Sequence, residues 1–228
     1  MSVRHMDNTL IQEHLLNAYP SMVESFTRRN ESSVVRPSAF LACARQTYIK
    51  VCERIAPDDM PDNIGSTFAV GHLLHEVSYA AVKSALPDGF KVETEKEVKL
   101  PDWWPDDKLN FNQEGHVDMF ISIEDTEQAR KFLPDAVVDE QPKMLVDFKT
   151  MGSFSYRKHS KADYSQAVDG FGYLSQLAVY SSALDVIGNG AILAGINRDS
   201  LTLPLMPRFI SPSILMKEQE RIKMAFLN

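Results

Sequence analysis

This chain has little cysteine, no long apolar run, no glycine-rich phosphate loop and no excess of positive charge. Each absence removes a class of function. The two cysteines, Cys43 and Cys52, sit in a helix-like stretch nine residues apart. They share no helix face and have no nearby partners at zinc-ligand spacing, so we expect neither a disulfide nor a zinc site. No run approaches the roughly 18 apolar residues needed to span a bilayer, and the first residues lack the charged-then-apolar pattern of a secretory leader, so the expected location is cytoplasmic. Gly188-Asn-Gly190 reads as a turn and not as a nucleotide cradle. The net charge of -7 argues against nucleic-acid binding through overall positive charge, though not against a local basic groove.

What is present is the composition of an ordinary globular protein: 228 residues, 44% hydrophobic and 24% charged, enough for one good core. Residues 1–62 read as an N-terminal helical region packed on a core domain of residues 63–228. Helices are expected over Asn8–Tyr19, Ser21–Arg29 and from Ser38 to beyond Val51. A clearer helix spans Ile64–Leu86, carrying His72 and His75 three apart and so neighbours on its surface. Either histidine can be a hydrogen-bonded, half-buried side chain or a metal ligand.

Strands follow. Phe90–Leu100 alternates, with Glu93, Glu95 and Glu97 read as a solvated face. The loop that follows holds Trp103 and Trp104, which could stack on bases or pin the loop to the body. Gly115–Ile123 places Val117, Met119, Ile121 and Ile123 on one apolar face and Asp118 on the other. Beyond an acidic, turn-rich connection, Lys143–Thr150 delivers Asp147 and Lys149 to one side of a strand while Met144, Val146 and Phe148 point to the core. Asp118 and Asp147 should meet from neighbouring strands. An acid two residues before a lysine suits metal-dependent phosphodiester hydrolysis, and it is equally a common solvated pair. The segment Met151–Lys161 reads as a loop whose Arg157, Lys158 and Lys161, joined by His159, can contact phosphates or simply be solvated. A helix over Tyr164–Leu184 places Gln176 and Tyr180 on one face. Two strands, Gly188–Asn197 and Leu201–Ile210, and a closing helix, Pro212–Phe226, complete the chain.

In order, Gly71 and His75, Gly115 and Asp118, Asp147 and Lys149, and Gln176 and Tyr180, preceded by the Ser38 to Arg45 opening, resemble the motifs of the PD-(D/E)XK nuclease superfamily. Within it they are most similar to the RecB-like exonucleases, the free-standing phage and CRISPR-associated types included. The resemblance implies an α/β fold with a central mixed sheet flanked by helices. It also implies Mg²⁺ or Mn²⁺ held by His75, Asp118, Asp147 and the Phe148 carbonyl, with Lys149 positioning or activating the hydrolytic water. Gln176 and Tyr180 would support the site and touch the DNA backbone, and Arg157, Lys158 and Lys161 would bind DNA. Some relatives hold an iron-sulfur cluster on four cysteines. Here only Cys43 matches and none follows Cys52, so no cluster is expected. The expected activity is a metal-dependent deoxyribonuclease, more an exonuclease than an endonuclease, serving recombination, repair or phage DNA processing. Unwinding would come from a helicase or recombination partner or from oligomerisation. The alternative is a non-catalytic DNA-binding or assembly module that retains the fold.

Overall fold

A computed structural model describes residues 36–37, 62–106, 111–124, 127, 143–162, 172–200 and 206–227. The N-terminal helices expected before residue 62, with Cys43 and Cys52, and most of the connection before Lys143 lie outside the described residues.

A long helix, α1 (Asp62–Ala85), leads into an antiparallel hairpin of β1 (Phe90–Lys99) and β2 (Glu114–Ile123), followed by β3 (Lys143–Met151). Then come α2 (Ser153–Lys161), α3 (Tyr173–Ala183), a short 3₁₀ turn, β4 (Ala191–Asn197), β5 (Met206–Ile210) and α4 (Pro212–Leu227). The sheet order is β1-β2-β3-β4-β5. All neighbours are antiparallel except β3 and β4, and that parallel pair requires the crossover that α2 and α3 supply. The α/β fold with a mixed sheet flanked by helices is therefore the one the sequence implied.

Central position explains the apolar run of β3. Met144, Leu145, Val146 and Phe148 are all buried, as expected for a strand covered on both faces. One face packs Val146 and Phe148 with Met119, Ile121 and Ile123 of β2 against Tyr79, Leu74 and Val82 of α1. The other packs Leu145 and Leu193 against Leu174, Leu177 and Ala178 of α3 and Leu215 and Ile222 of α4. Trp104 belongs to this second core, with its Nε1–H donating to the Asn112 carbonyl at 2.9 Å and its ring against Phe111 and Phe226. The tryptophan loop is thus pinned to the body.

Two expectations need correction. The alternating row Val117, Met119, Ile121 and Ile123 is buried, but it does not serve one core: Val117 joins the α3 side, the other three the α1 side. On β1 likewise Phe90 and Val92 pack on the α1 side, and Val98, with Leu100 just past the strand, on the α3 side. The crossover lies where Glu95 and Asp118 sit between the Thr94–Met119 and Lys96–Val117 pairs. Glu95 there takes φ 48, the left-handed conformation, which redirects the strand and costs roughly 1–3 kcal/mol in a residue with a side chain.

The second correction is α2, expected as a loop. Both of its ends are satisfied by distant residues. The Ser153 N–H donates to Asp199 Oδ2 at 2.6 Å, and Arg208 donates to the Ser160 and Ala162 carbonyls at 2.9 and 3.0 Å. These are the terminal groups that a short helix must otherwise leave to water. Local propensity alone gives no sign of them.

Candidate metal centre

The β2–β3 ladder ends at the Met119–Val146 pair. The next facing residues are Asp118 and Asp147, so both acids stand where the strands begin to separate. Asp118 fills the gap with its side chain: Oδ2 accepts a hydrogen bond from the Phe148 backbone N–H at 2.6 Å. Its other oxygen, Oδ1, lies 4.0 Å from His75 Nδ1. On the far side of the same strand step, Lys149 Nζ sits 2.9 Å from Asp147 Oδ1 and 2.8 Å from Oδ2. Asp147 is buried, while Lys149 keeps about a fifth of its side chain exposed.

Helix α1 reaches this point because Gly71 lets it lie close to β3. A Cβ at Gly71 would come within 3.1 Å of Thr150 Oγ1. The turn of helix after Gly71 then brings His75 over Phe148, with ring centroids 6.0 Å apart, and Tyr79 edge-on to the same ring at 5.5 Å. A cleft lined by Gly71, His72, His75, Phe148, Lys149 and Thr150 opens here to solvent. His72 is exposed, its ring centroid 6.5 Å from that of His75.

The electrostatics follow from burial. Desolvation, reinforced by Lys149, lowers His75 to about 4, so the imidazole is neutral at neutral pH and available as a ligand. Desolvation raises Asp118 and lifts Asp147 to about 6 against the opposing pull of Lys149. For Lys149 burial acts to lower the pKa, but the Asp147 and Asp118 carboxylates outweigh it and hold the ammonium well above its usual range. Two carboxylates that resist ionisation beside a neutral imidazole form a site whose negative charge a hard cation would stabilise.

Helix α3 closes the site from behind. Tyr180 and Gln176 are both buried, although Gln176 alone could have been a surface residue. Burial pushes the Tyr180 hydroxyl up to about 12, with Asp147 adding to the shift. A Cβ at Gly115 would lie 2.6 to 3.0 Å from the Tyr180 ring and hydroxyl, so the glycine three residues before Asp118 makes room for the tyrosine. The structure thus places both side chains of the pair behind the site, each largely covered. Tyr173, one helical turn before Gln176 and two before Tyr180, places its ring centroid 5.7 Å from Lys149 Nζ.

Of the basic group on α2, Arg157, Lys158 and Lys161 are exposed, with Lys158 over the exposed Phe154 ring at 4.8 Å. His159 does not join them. It is buried against Gly195, where a Cβ would approach its ring to 2.6 Å.

One residue was missed. Glu95, read as part of a solvated row, is exposed as that reading expects, yet it also accepts a hydrogen bond from the Tyr79 hydroxyl at 2.6 Å. It forms with His75 and Asp118 a set whose ligand atoms all lie within 4.8 Å of one another. Its neighbours in the row behave as expected: Glu97 is exposed and Glu93 pairs with Lys96 at 3.0 Å. The missing signal is the left-handed backbone at Glu95, which alternation does not encode.

The donor set fits a divalent cation. An imidazole and carboxylates with room for water suit Mn²⁺ and, with more oxygen, Mg²⁺. Among the described residues no helix is long and apolar enough to cross a membrane. No protein-family model and no curated protein matches the chain. Among solved structures, the crystal structure of SSO0001 is similar over 94% of this chain and 86% of that one, at a TM-score of 0.46 and 15% identity.

Proposed function

We propose that the protein is a metal-dependent DNA nuclease of the PD-(D/E)XK type, similar to the RecB-like exonucleases, cutting phosphodiester bonds from DNA ends in recombination, repair or phage DNA processing. The observation that carries this reading is the meeting of His75, Asp118, Asp147 and Lys149, from α1, β2 and β3, at the open end of the β2–β3 ladder. His75, Asp118 and Asp147, with the Phe148 carbonyl, would hold Mg²⁺ or Mn²⁺. When bound, such an ion supplies charge neutralisation and a water of lowered pKa.

The remaining roles belong to the chain itself. Asp118, fixed by the Phe148 amide, keeps one oxygen directed at the ion site. Lys149 stays protonated, held by Asp147. It orients the attacking water by hydrogen bonding and stabilises negative charge on the phosphoryl oxygens as the bond breaks. Tyr180 and Gln176 support this wall from α3. Helix α2 begins two residues beyond β3, and its exposed Arg157, Lys158 and Lys161 suit phosphate contacts.

The test is digestion of end-labelled linear DNA, single- and double-stranded, beside closed circular DNA, with Mg²⁺, Mn²⁺ or EDTA and with Lys149→Ala as control. Loss of linear DNA only with metal and only with the lysine is the expected result, and intact circles would establish the requirement for ends. If intact protein with either metal cuts nothing yet binds DNA, the reading gives way to a binding or assembly module.

A further inference from the structure

We infer that Glu95 is a ligand of the same divalent cation, joining His75 and Asp118 from β1, and that Tyr79 is its positioning residue. The inference rests on the metal-dependent reading above and adds to it a residue that lies outside every motif on which that reading stands.

Three observations meet at this point. The first is spacing. One ligand atom from each of His75, Glu95 and Asp118 lies within 4.8 Å of the other two. Ligands about 2.0–2.2 Å from an ion stand about 3 Å apart at right angles and about 4.3 Å apart when opposite. The His75 Nδ1 to Asp118 Oδ1 distance of 4.0 Å already falls in that range, and a side-chain movement of a few tenths of an ångström would close the set.

The second is how the donor atoms are engaged. Asp118 commits Oδ2 to the Phe148 amide, and Glu95 commits Oε1 to the Tyr79 hydroxyl. Each carboxylate therefore has one oxygen fixed by the protein and one left over, the arrangement in which outer hydrogen bonds orient metal ligands. Tyr79 is well placed for this task because its ring also packs on His75, at 6.0 Å between centroids, and on Phe148. One side chain thereby fixes the relative placement of two ligands.

The third is charge. Glu95 and Asp118 occupy the step that the β1–β2 register skips, between the Thr94–Met119 and Lys96–Val117 pairs, and like charges brought close there repel. Lys96, the adjacent cation, pairs with Glu93. Among the described residues no lysine or arginine forms an ion pair with Glu95. A cation between the two carboxylates supplies the compensation that the side chains do not. One imidazole with two carboxylates favours Mn²⁺ over Mg²⁺.

The test is Mn²⁺ binding to the full chain, followed by titration calorimetry and by the loss of the free-ion electron spin resonance signal. It compares the unaltered protein with Glu95→Gln, Tyr79→Phe, Asp118→Asn and Glu97→Gln. Expected are a loss of about 100-fold in affinity for Glu95→Gln and about 10-fold for Tyr79→Phe, the scale for ligands and for the groups that orient them. Glu97→Gln should bind as the unaltered protein does. In the Glu95→Gln background, Tyr79→Phe should cost nothing further, because a positioning residue acts only through its target. Should Glu95→Gln fail to fold, Glu95→Asp keeps the charge, shortens the reach and should still weaken binding. If Asp118→Asn loses Mn²⁺ while the Glu95 variants bind it normally, the inference is overturned and the metal-dependent reading stands. If the unaltered chain binds no Mn²⁺, both fall.

Discussion

The Phe148 backbone N–H donates to Asp118 Oδ2 at 2.6 Å, so an acid of one strand takes the place of the next rung of the ladder to its neighbour. Its position is thereby tied to the strand that carries Asp147 and Lys149. Asp118→Asn keeps an acceptor for that amide and removes the charge. It should retain a melting temperature near that of the unaltered protein while cleavage falls at least about 100-fold, a loss of about 3 kcal/mol of transition-state stabilisation. Asp118→Ala also leaves the Phe148 N–H without a partner, at about 1–3 kcal/mol, and should melt several degrees lower. Thermal denaturation beside a cleavage assay separates the two effects. An Asn variant that cuts normally would remove Asp118 from the site.

Tyr180 occupies the space in which a Gly115 side chain would lie. Gly115→Ala should therefore displace the tyrosine and destabilise the protein by about 1–3 kcal/mol, as overpacking in a filled core does. Replacing Tyr180 with Leu in the same chain should recover most of that stability but not the activity, since the smaller side chain frees the volume without restoring the hydroxyl. Denaturant unfolding of the single and double variants checks the coupling. Additive effects would mean that the two positions do not share this space.

Much of this architecture was legible in the residues, and what was not has a common cause. The alternation in Lys143–Thr150 assigned Asp147 and Lys149 to one side, and the side chains do lie together. The Gly71 and Gly115 positions made sense only once a helix and a tyrosine were seen against them. Glu95 was hidden because a single left-handed residue changes which face a strand presents. Helix α2 was hidden because Asp199 and Arg208, each more than 40 residues away in sequence, satisfy its ends. His159 was misjudged for a related reason: inside a helix packed on β4 it faces Gly195, not the solvent its charged neighbours face. Local pattern conveys period and polarity. It does not convey a partner that arrives from elsewhere in the fold.

With α2 ordered by Asp199 and Arg208, its exposed Arg157, Lys158 and Lys161 form a fixed basic face in an acidic chain. Binding of DNA measured in EDTA on the Lys149→Ala background should weaken as each is changed to Gln. The slope of log affinity against log salt should become shallower by about 0.7–0.9 per cation removed. The loss should be similar for unrelated DNA sequences, because phosphate contacts carry no base information. An unchanged salt slope in the triple variant would move the DNA path away from this helix.

His75 and Asp147 titrate in opposite senses in the metal-free protein. Desolvation and Lys149 lower His75 to about 4, so below its ordinary pKa of about 6.5 the unfolded chain takes up a proton that the folded chain refuses, and stability falls as pH falls. Asp147 is raised by desolvation to about 6. Between its ordinary pKa of about 4 and that value the folded chain keeps a proton that the unfolded chain has released, so stability rises as pH falls. The two slopes largely cancel in the unaltered protein. His75→Gln leaves only the second. With EDTA present its melting temperature, taken relative to the unaltered protein, should gain about 5 °C between about pH 6.5 and about pH 4.5. Asp147→Asn should instead lose ground over the same interval. Parallel melting curves for all three proteins would show that neither group changes its proton affinity on folding, and that the cleft is wetter than its burial indicates.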